Sequence, residues 1–292
     1  MRSRRHIVRD VSYSHCAASK SARALIRLME NATGRLRLIR RAEGYRHEIA
    51  AGRDFWAVMT ERFGLTLDVA GGSLANIPRD GPLVVIANHP YGILDGLMMG
   101  HILSRVRGDF RILAHQVFCT ADDLKRNVLP ISFGGSKDAV HRNIETRGIA
   151  LDYLGRGGAV GIFPGGTVST GVKPCSLPMD PRWRRFTARM VARSRARVVP
   201  VFFDGHTSRM FQVASHLHFT LRMGLLIKEF ANRVDAPVRV VVGNPIGRDI
   251  LDPMAGDSNA MMDFLRKATY ELSPTPLTSY DYGYEFEERH RA

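Results

Sequence analysis

From Leu65 onward the chain switches repeatedly between two hydrophobic periods, and that alternation limits the possible folds more than any single motif does. Short apolar runs read as strands near residues 65–70, 83–87, 110–114, 129–133, 159–163, 198–203 and 238–242. Helical patterns fall between them near 95–106, 116–126, 137–155, 182–196, 208–232 and 258–272. This order predicts an α/β fold: a mixed, mostly parallel central sheet with helices on both faces. A chain of 292 residues, 45% of them hydrophobic, can bury such a core in one large domain. No internal repeat is visible.

An N-terminal helical hairpin is expected ahead of this domain. Residues 1–20 form a basic arm, and Ser21 to Arg41 follows a helical pattern. Leu25, Met29, Ala32 and Leu36 share one face, with Arg27, Arg35, Arg37, Arg40 and Arg41 around it. Tyr45 to Phe63 reads as a second helix carrying Phe55, Trp56, Val58 and Met59, stopped by Gly64. The chain thus divides into 1–64, a basic arm and helical hairpin; 65–272, the α/β domain; and 273–292, an extended, loosely ordered C-terminal tail with Pro274, Pro276, Tyr280, Tyr282 and Tyr284.

The formal charge of +14 and pI near 10.3 call for a polyanionic partner, either an anionic membrane surface or nucleic acid. No apolar run reaches the roughly 18 residues of a spanning helix, and no signal-peptide core follows the basic start. Cys16, Cys119 and Cys175 have neither metal nor disulfide spacing, which fits a reducing, cytoplasmic setting. His216 and His218 lie two apart in a helical run and share no face, so no metal site is expected.

One stretch concentrates the chemistry. Leu83 to Ala87 is a buried strand; Asn88-His89-Pro90-Tyr91 breaks it, and Asp95 opens an apolar helix. His89 therefore falls at the carboxyl end of a strand, the edge where open α/β sheets bind ligands. A neutral imidazole can take a proton from a hydroxyl near pH 7, and does so better when a carboxylate orients it. No Ser or Cys nucleophile neighbours His89, so the nucleophile would be the substrate's own hydroxyl. A core histidine beside an ordinary helix-capping Asp is the plainer alternative.

Two further stretches follow the same logic. A strand ending at Phe163 runs into Pro164-Gly165-Gly166-Thr167-Val168-Ser169, a turn whose backbone N–H groups could approach an anion or a developing oxyanion, or which is simply a turn. Arg197 to Phe203 is a buried strand with Pro200 near its middle, which suggests a sheet edge or a bulge. Asp204 and His206 after it read as loop residues.

Together these stretches resemble the glycerolipid (lysophospholipid) acyltransferase family, in particular its bacterial hemolysin-like or ornithine-lipid branch. That family carries, in order, a His-x4-Asp block after a strand, a strand–Arg block, a Phe-Pro-Glu-Gly-Thr-Arg-Ser block and a Val-Pro-Val strand. Here Asn88-His89 to Asp95, Leu129-Pro130-Ile131-Ser132-Phe133, Phe163 to Ser169 and Val199-Pro200-Val201 fall in that order, and the resemblance covers about 65 to 250. It implies that His89 is the general base on a lysolipid hydroxyl, that Asp95 orients it, and that the hydroxyl attacks an acyl thioester. The donor would be acyl-CoA or acyl carrier protein, used as substrate, with no bound cofactor. Asn88, Gly92, Phe133, Lys137, Phe163, Pro164, Gly165, Gly166, Thr167 and Ser169 would line the substrate site.

Four departures matter. Five residues rather than four separate His89 from Asp95, and the extra one is expected in the Pro90-Tyr91-Gly92 turn, where glycine tolerates unusual φ/ψ. Gly165 stands where the family has Glu, Val168 where it has Arg, and Phe133 where another block has Arg. Without those arginines a lysophosphatidic acid acceptor is disfavoured, unless Lys137 or Lys173 replaces them, and an amino-acid or zwitterionic lysolipid is favoured. The basic helix from Pro181, with Trp183, Phe186 and Met190 on one face, suits either a headgroup interface or packing on the sheet. The expected protein is a peripheral acyltransferase of phospholipid biosynthesis at the cytoplasmic face of the inner membrane. The alternatives are a catalytically altered lipid-binding relative and a nucleic-acid-binding protein, for which no zinc-finger or RNA-binding aromatic motif is found. A lipid serine hydrolase lacks its Gly-x-Ser-x-Gly elbow.

Overall fold

A computed structural model describes residues 12–17, 19–115, 122–131 and 137–286. Seven strands form one sheet: β1 (Thr66–Gly72), β2 (Leu83–Ala87), β3 (Arg111–His115), β4 (Val128–Ile131), β5 (Ala159–Ile162), β6 (Arg197–Phe203) and β7 (Pro237–Val242). Their spatial order is β1-β7-β6-β2-β5-β3-β4. Every neighbouring pair is parallel except β6 with β7, which makes the sheet mixed and mostly parallel.

β2 explains why helices must cover both faces. All five of its residues are buried, and their side chains alternate between two cores. Leu83, Val85 and Ala87 join a core with Leu94, Met98 and Ile102 of the helix Ile93–Arg107 and with Trp56 and Met59 of the helix Phe55–Arg62. Val84 and Ile86 join the opposite core with Leu154 of Lys137–Gly155, Met190 of Arg185–Ser194 and Leu265 of Ser258–Tyr270.

Pro200 sits inside the sheet, contrary to the expectation of an edge or bulge: β6 lies between β7 and β2. Its carbonyl accepts from Gly243 on the β7 side. Its missing N–H would point the same way, and the antiparallel ladder with β7 begins only at Val201.

The expected N-terminal hairpin is more broken than its hydrophobic pattern suggests. The first helical stretch runs Lys20–Glu30, widens over Asn31–Arg35 and resumes at Leu36–Ala42. Gly34 causes the kink: its φ is 140°, and a Cβ there would lie 2.5 Å from Ala231 Cβ on the neighbouring helix Phe219–Ala231. The inward face is Ile26, Glu30, Leu38 and Ala42; Leu25 and Leu36, expected to share one apolar face, are exposed with Leu28. The second stretch splits into Tyr45–Ala50 and Phe55–Arg62, the latter capped by Asp54, whose carboxylate accepts from the Ala57 N–H.

Other differences have local causes. The stretch 208–232 is two helices, Arg209–Leu217 and Phe219–Ala231, because His218 is extended and caps the second through Nδ1 to Thr220 N–H. The helix expected near 116–126 lies partly outside the described residues, and Asp122–Leu124 is a single 3-10 turn. As far as Phe286 the tail is tied to the rest of the fold. Gly283 N–H donates to Asp180 O, Tyr284 N–H donates to Thr170 O, and Phe286 is buried.

Candidate active site

Because β2 is parallel to both β5 and β6, the carboxyl ends of three adjacent strands open at one sheet edge. His89 follows β2, Phe163 follows β5 and Asp204 follows β6. Asn88 ties this edge together. Its amide accepts from Phe203 N–H at 2.7 Å and donates to Phe203 O at 2.9 Å. Both ends of the Asn88 side chain thus brace two strands at this edge.

The turn after β2 folds around one carboxylate. Gly92 adopts φ 77°, a conformation open to glycine at little cost, and the helix Ile93–Arg107 starts directly after it. Asp95 is the third residue of that helix and is fully buried. Its Oδ2 accepts from the N–H of Tyr91 at 2.8 Å and of Gly92 at 3.0 Å. The same oxygen lies 3.0 Å from His89 Nδ1. Asp95 is therefore both a helix cap and the carboxylate beside the imidazole, so the two alternatives weighed for it describe one side chain. Nδ1 is at hydrogen-bonding separation but is not aligned for a linear bond, a geometry that commonly tightens when substrate binds.

The imidazole is held from the other side by Phe163, whose ring stacks on it at 4.3 Å between centroids and 28° between planes. The His89 side chain keeps 19% of its surface exposed while Nδ1 is buried, which leaves the Nε2 side of the ring accessible. Burial pushes the Asp95 carboxyl up from its ordinary pKa, and His89 with the Tyr91 and Gly92 amides pulls it back. A histidine oriented by a buried carboxylate at an open sheet edge is equipped to remove a proton from a hydroxyl.

The Gly-rich turn wraps beside this pair. Gly166, at φ 71°, donates its N–H to Phe163 O at 3.0 Å, and Pro164 O accepts from Arg184 N–H at 2.9 Å. Ser169 N–H donates to His89 O at 2.9 Å. Val168 is buried with Phe211 and Leu226. Of the remaining expected residues, Phe133 lies outside the described residues, Lys137 begins the helix Lys137–Gly155, and Lys173 is exposed on the loop after the turn. Among the described residues no three His, Cys, Asp or Glu side chains gather as metal ligands.

Two buried charged residues escaped sequence reading. Arg222 reaches the turn from the helix Phe219–Ala231, with its guanidinium donating to Thr167 Oγ1 at 3.0 Å and to Val168 O at 2.8 Å. It also donates to Thr170 Oγ1 and Ser215 Oγ, both at 2.7 Å, and lies over the rings of Phe211 and Phe286. Asp180 accepts from His89 N–H and from Ser169 Oγ. Neither belongs to a local motif; tertiary packing brings both to the site.

The family model described as "Acyltransferase" matches residues 40–278. The chain belongs to this acyltransferase family, in keeping with the lysolipid acyltransferase resemblance of its sequence blocks. Among characterised proteins it is similar to the lyso-glycine lipid O-acyltransferase of Phocaeicola vulgatus, 23% identical over 76% of this chain and 78% of the relative. The lyso-glycine lipid O-acyltransferase of Bacteroides thetaiotaomicron is 24% identical over 67% of this chain and 71% of the relative. A solved structure, the 1-acyl-sn-glycerophosphate acyltransferase PlsC of Thermotoga maritima, aligns over 87% of this chain and 98% of its own with a TM-score of 0.47 and 15% identity.

Proposed function

We propose that this acyltransferase moves an acyl chain from a thioester, acyl-CoA or acyl carrier protein, to the hydroxyl of a lysolipid bearing an amino-acid head group. The observation that carries the reading is the His89 Nδ1–Asp95 Oδ2 contact of 3.0 Å at the open edge of the sheet. Nε2 of His89 takes the proton of the acceptor hydroxyl as its oxygen attacks the thioester carbonyl. Asp95 steadies the imidazolium that forms. Collapse of the tetrahedral intermediate expels the thiolate, which recovers the proton from the imidazolium, leaving an ester and a free thiol.

Two observations support the head group. The relatives named above are lyso-glycine lipid O-acyltransferases, and Val168 puts an apolar, buried side chain where a phosphate-binding arginine would stand. Arg222 does bring a guanidinium to the turn, but it is 1% exposed and its donors bond the turn itself. The test is competition between a lyso-glycine lipid and lysophosphatidic acid for one acyl donor. The amino-acid lipid is expected to have the higher kcat/KM by at least about tenfold, roughly 1.4 kcal/mol of discrimination. Equal or reversed values would refute the assignment.

The acceptor and a long-chain donor are found at membranes, and this reading places the protein there as a peripheral protein, at the cytoplasmic face of the inner membrane. No described helix is long and apolar enough to cross a bilayer. The helix expected from Pro181 begins only at Arg185, and the attachment is not assigned to it, because Trp183 ahead of it and Met190 within it are buried in the core. Leu25 and Leu28 on the first helix, and Met210, Val213 and Leu217 on Arg209–Leu217, are exposed beside Lys20, Arg23 and Arg209. Both helices pack on Phe219–Ala231, which carries Arg222 to the site. Leu28→Glu with Leu217→Glu is therefore expected to weaken binding to anionic vesicles at least about tenfold, through lost burial and added charge repulsion. Co-sedimentation that is unchanged in this double variant would remove the two helices from the attachment.

A further inference from the structure

We propose that Asp180 is a positioning residue for His89, delivering from a distant part of the chain the carboxylate that the Gly-rich block lacks at Gly165. The proposal rests on the reading of His89 as the base.

Asp180 is fully buried, and each of its oxygens has a use. Oδ1 accepts from His89 N–H at 3.2 Å and from the Ser169 hydroxyl. Oδ2 accepts from Trp183 Nε1–H at 2.8 Å. Ser169 in turn donates its N–H to His89 O. The main chain of His89 is thus gripped at both its N–H and its C=O, and the Gly-rich turn is tied to the same carboxylate.

Asp180 is itself immobilised by two other parts of the fold, the helix Ser258–Tyr270 and the tail. Its N–H donates to Tyr270 Oη at 2.7 Å. Its C=O accepts from Arg266 Nη2 at 3.0 Å and from Gly283 N–H at 2.9 Å. The pinned tail therefore contributes to the site through Gly283.

Gly165 explains how a carboxylate comes to sit there. A Cβ at 165 would lie 3.3 Å from Asp180 Cβ, Cγ and Oδ2. Gly165 is not among the glycines at positive φ, so its backbone does not demand glycine. Its small size makes room for Asp180, at the position where the family pattern has Glu. In this proposal Asp180 supplies, from across the turn, the carboxylate that the family pattern has at this position.

Losing the Asp180 carboxylate frees the His89 main chain, so the ring can drift from its contact with Asp95 and from Phe163. Displacements near 1 Å in a catalytic group cost on the order of 100-fold in rate. Asp180→Ala should thus lose about 100-fold in kcat with KM changed less than about threefold, because positioning acts on the chemical step. Amide hydrogen exchange at His89 and Ser169 should accelerate. Gly165→Glu added to Asp180→Ala should recover at least about a tenth of wild-type kcat, since it restores a carboxylate beside the turn. The proposal is overturned if Asp180→Ala keeps wild-type kcat, if His89 amide protection is unchanged, or if Gly165→Glu brings no recovery.

If Asp180→Ala does not fold, Asp180→Asn decides. Its amide oxygen can face His89 and Ser169, but its NH2 then meets the Trp183 N–H donor to donor. Trp183→Phe removes that conflict and should restore kcat to the Asp180→Asn protein; wild-type activity in Asp180→Asn, or no restoration by Trp183→Phe, overturns the proposal. A parallel His89→Ala assay separates the two levels. Wild-type transfer by His89→Ala would overturn the base assignment, whereas the amide-exchange readout reports on the Asp180 grip independently of activity.

Discussion

Asp95 and Asp180 are both fully buried and both hold the turn after β2, but they hold it by different handles. Asp95 touches the imidazole and the N–H groups of Tyr91 and Gly92. Asp180 touches the main chain of His89 and two side chains, Ser169 and Trp183. One carboxylate can stabilise charge on the ring; the other can only fix where the ring stands. Burial alone therefore does not define a carboxylate's role, and the atom it bonds does.

Replacing each aspartate by asparagine separates the handles. Asp95→Asn removes the charge that steadies the imidazolium, and kcat should fall about 10⁴-fold by the measure of oriented histidines in Ser-His-Asp triads. Asp180→Asn leaves that charge intact, and its loss should stay near 100-fold, the scale of misplacement. Steady-state kcat for the two proteins, measured side by side, checks the order. Equal losses would erase the distinction between charge and position.

Stability should invert the order. In Asp180→Asn a buried donor meets another donor, which costs about 1–3 kcal/mol. Asp95 Oδ2 collects every hydrogen bond that its carboxylate makes, and Oδ1 makes none, so an asparagine oxygen at Oδ2 retains them. Urea unfolding should find Asp180→Asn less stable than wild type and Asp95→Asn no less stable at pH 7.

The smallest effect is the pH dependence of that last comparison. Burial raises the Asp95 carboxyl above its unfolded value of about 4, so the folded protein binds this proton more tightly than the unfolded chain. The resulting cost to wild type is absent below the unfolded value and grows as pH rises through the folded one. The stability gap between Asp95→Asn and wild type should therefore be widest near neutral pH and shrink as pH falls towards about 4. A gap that widens on acidification would mean that the His89 and amide contacts outweigh burial.

The two aspartates also mark how far the chain could be read without coordinates. All seven strands were legible, because apolar β-branched runs bounded by turn residues carry their own signal. That His89 and Asp95 meet was legible because one turn joins them. Asp180 lies 91 residues from His89, and Arg222 lies 55 residues from Thr167; no period or spacing connects them. The stripe of Leu25, Met29, Ala32 and Leu36 is not one face, because Gly34 breaks the helical phase between Ala32 and Leu36. The tail looked loose because Gly283, Tyr284 and Phe286 follow no strand or helix pattern, although their partners, Asp180 and Thr170 among them, fix them.

The central claim, that His89 is the base, is tested most directly by purified His89→Ala beside wild type, with acyl ester formed and free thiol released measured together. The account predicts ester formation at the uncatalysed background and an unchanged melting temperature, since the ring is partly exposed and its main-chain bonds survive the substitution. Ester formation by His89→Ala at the wild-type rate would contradict it.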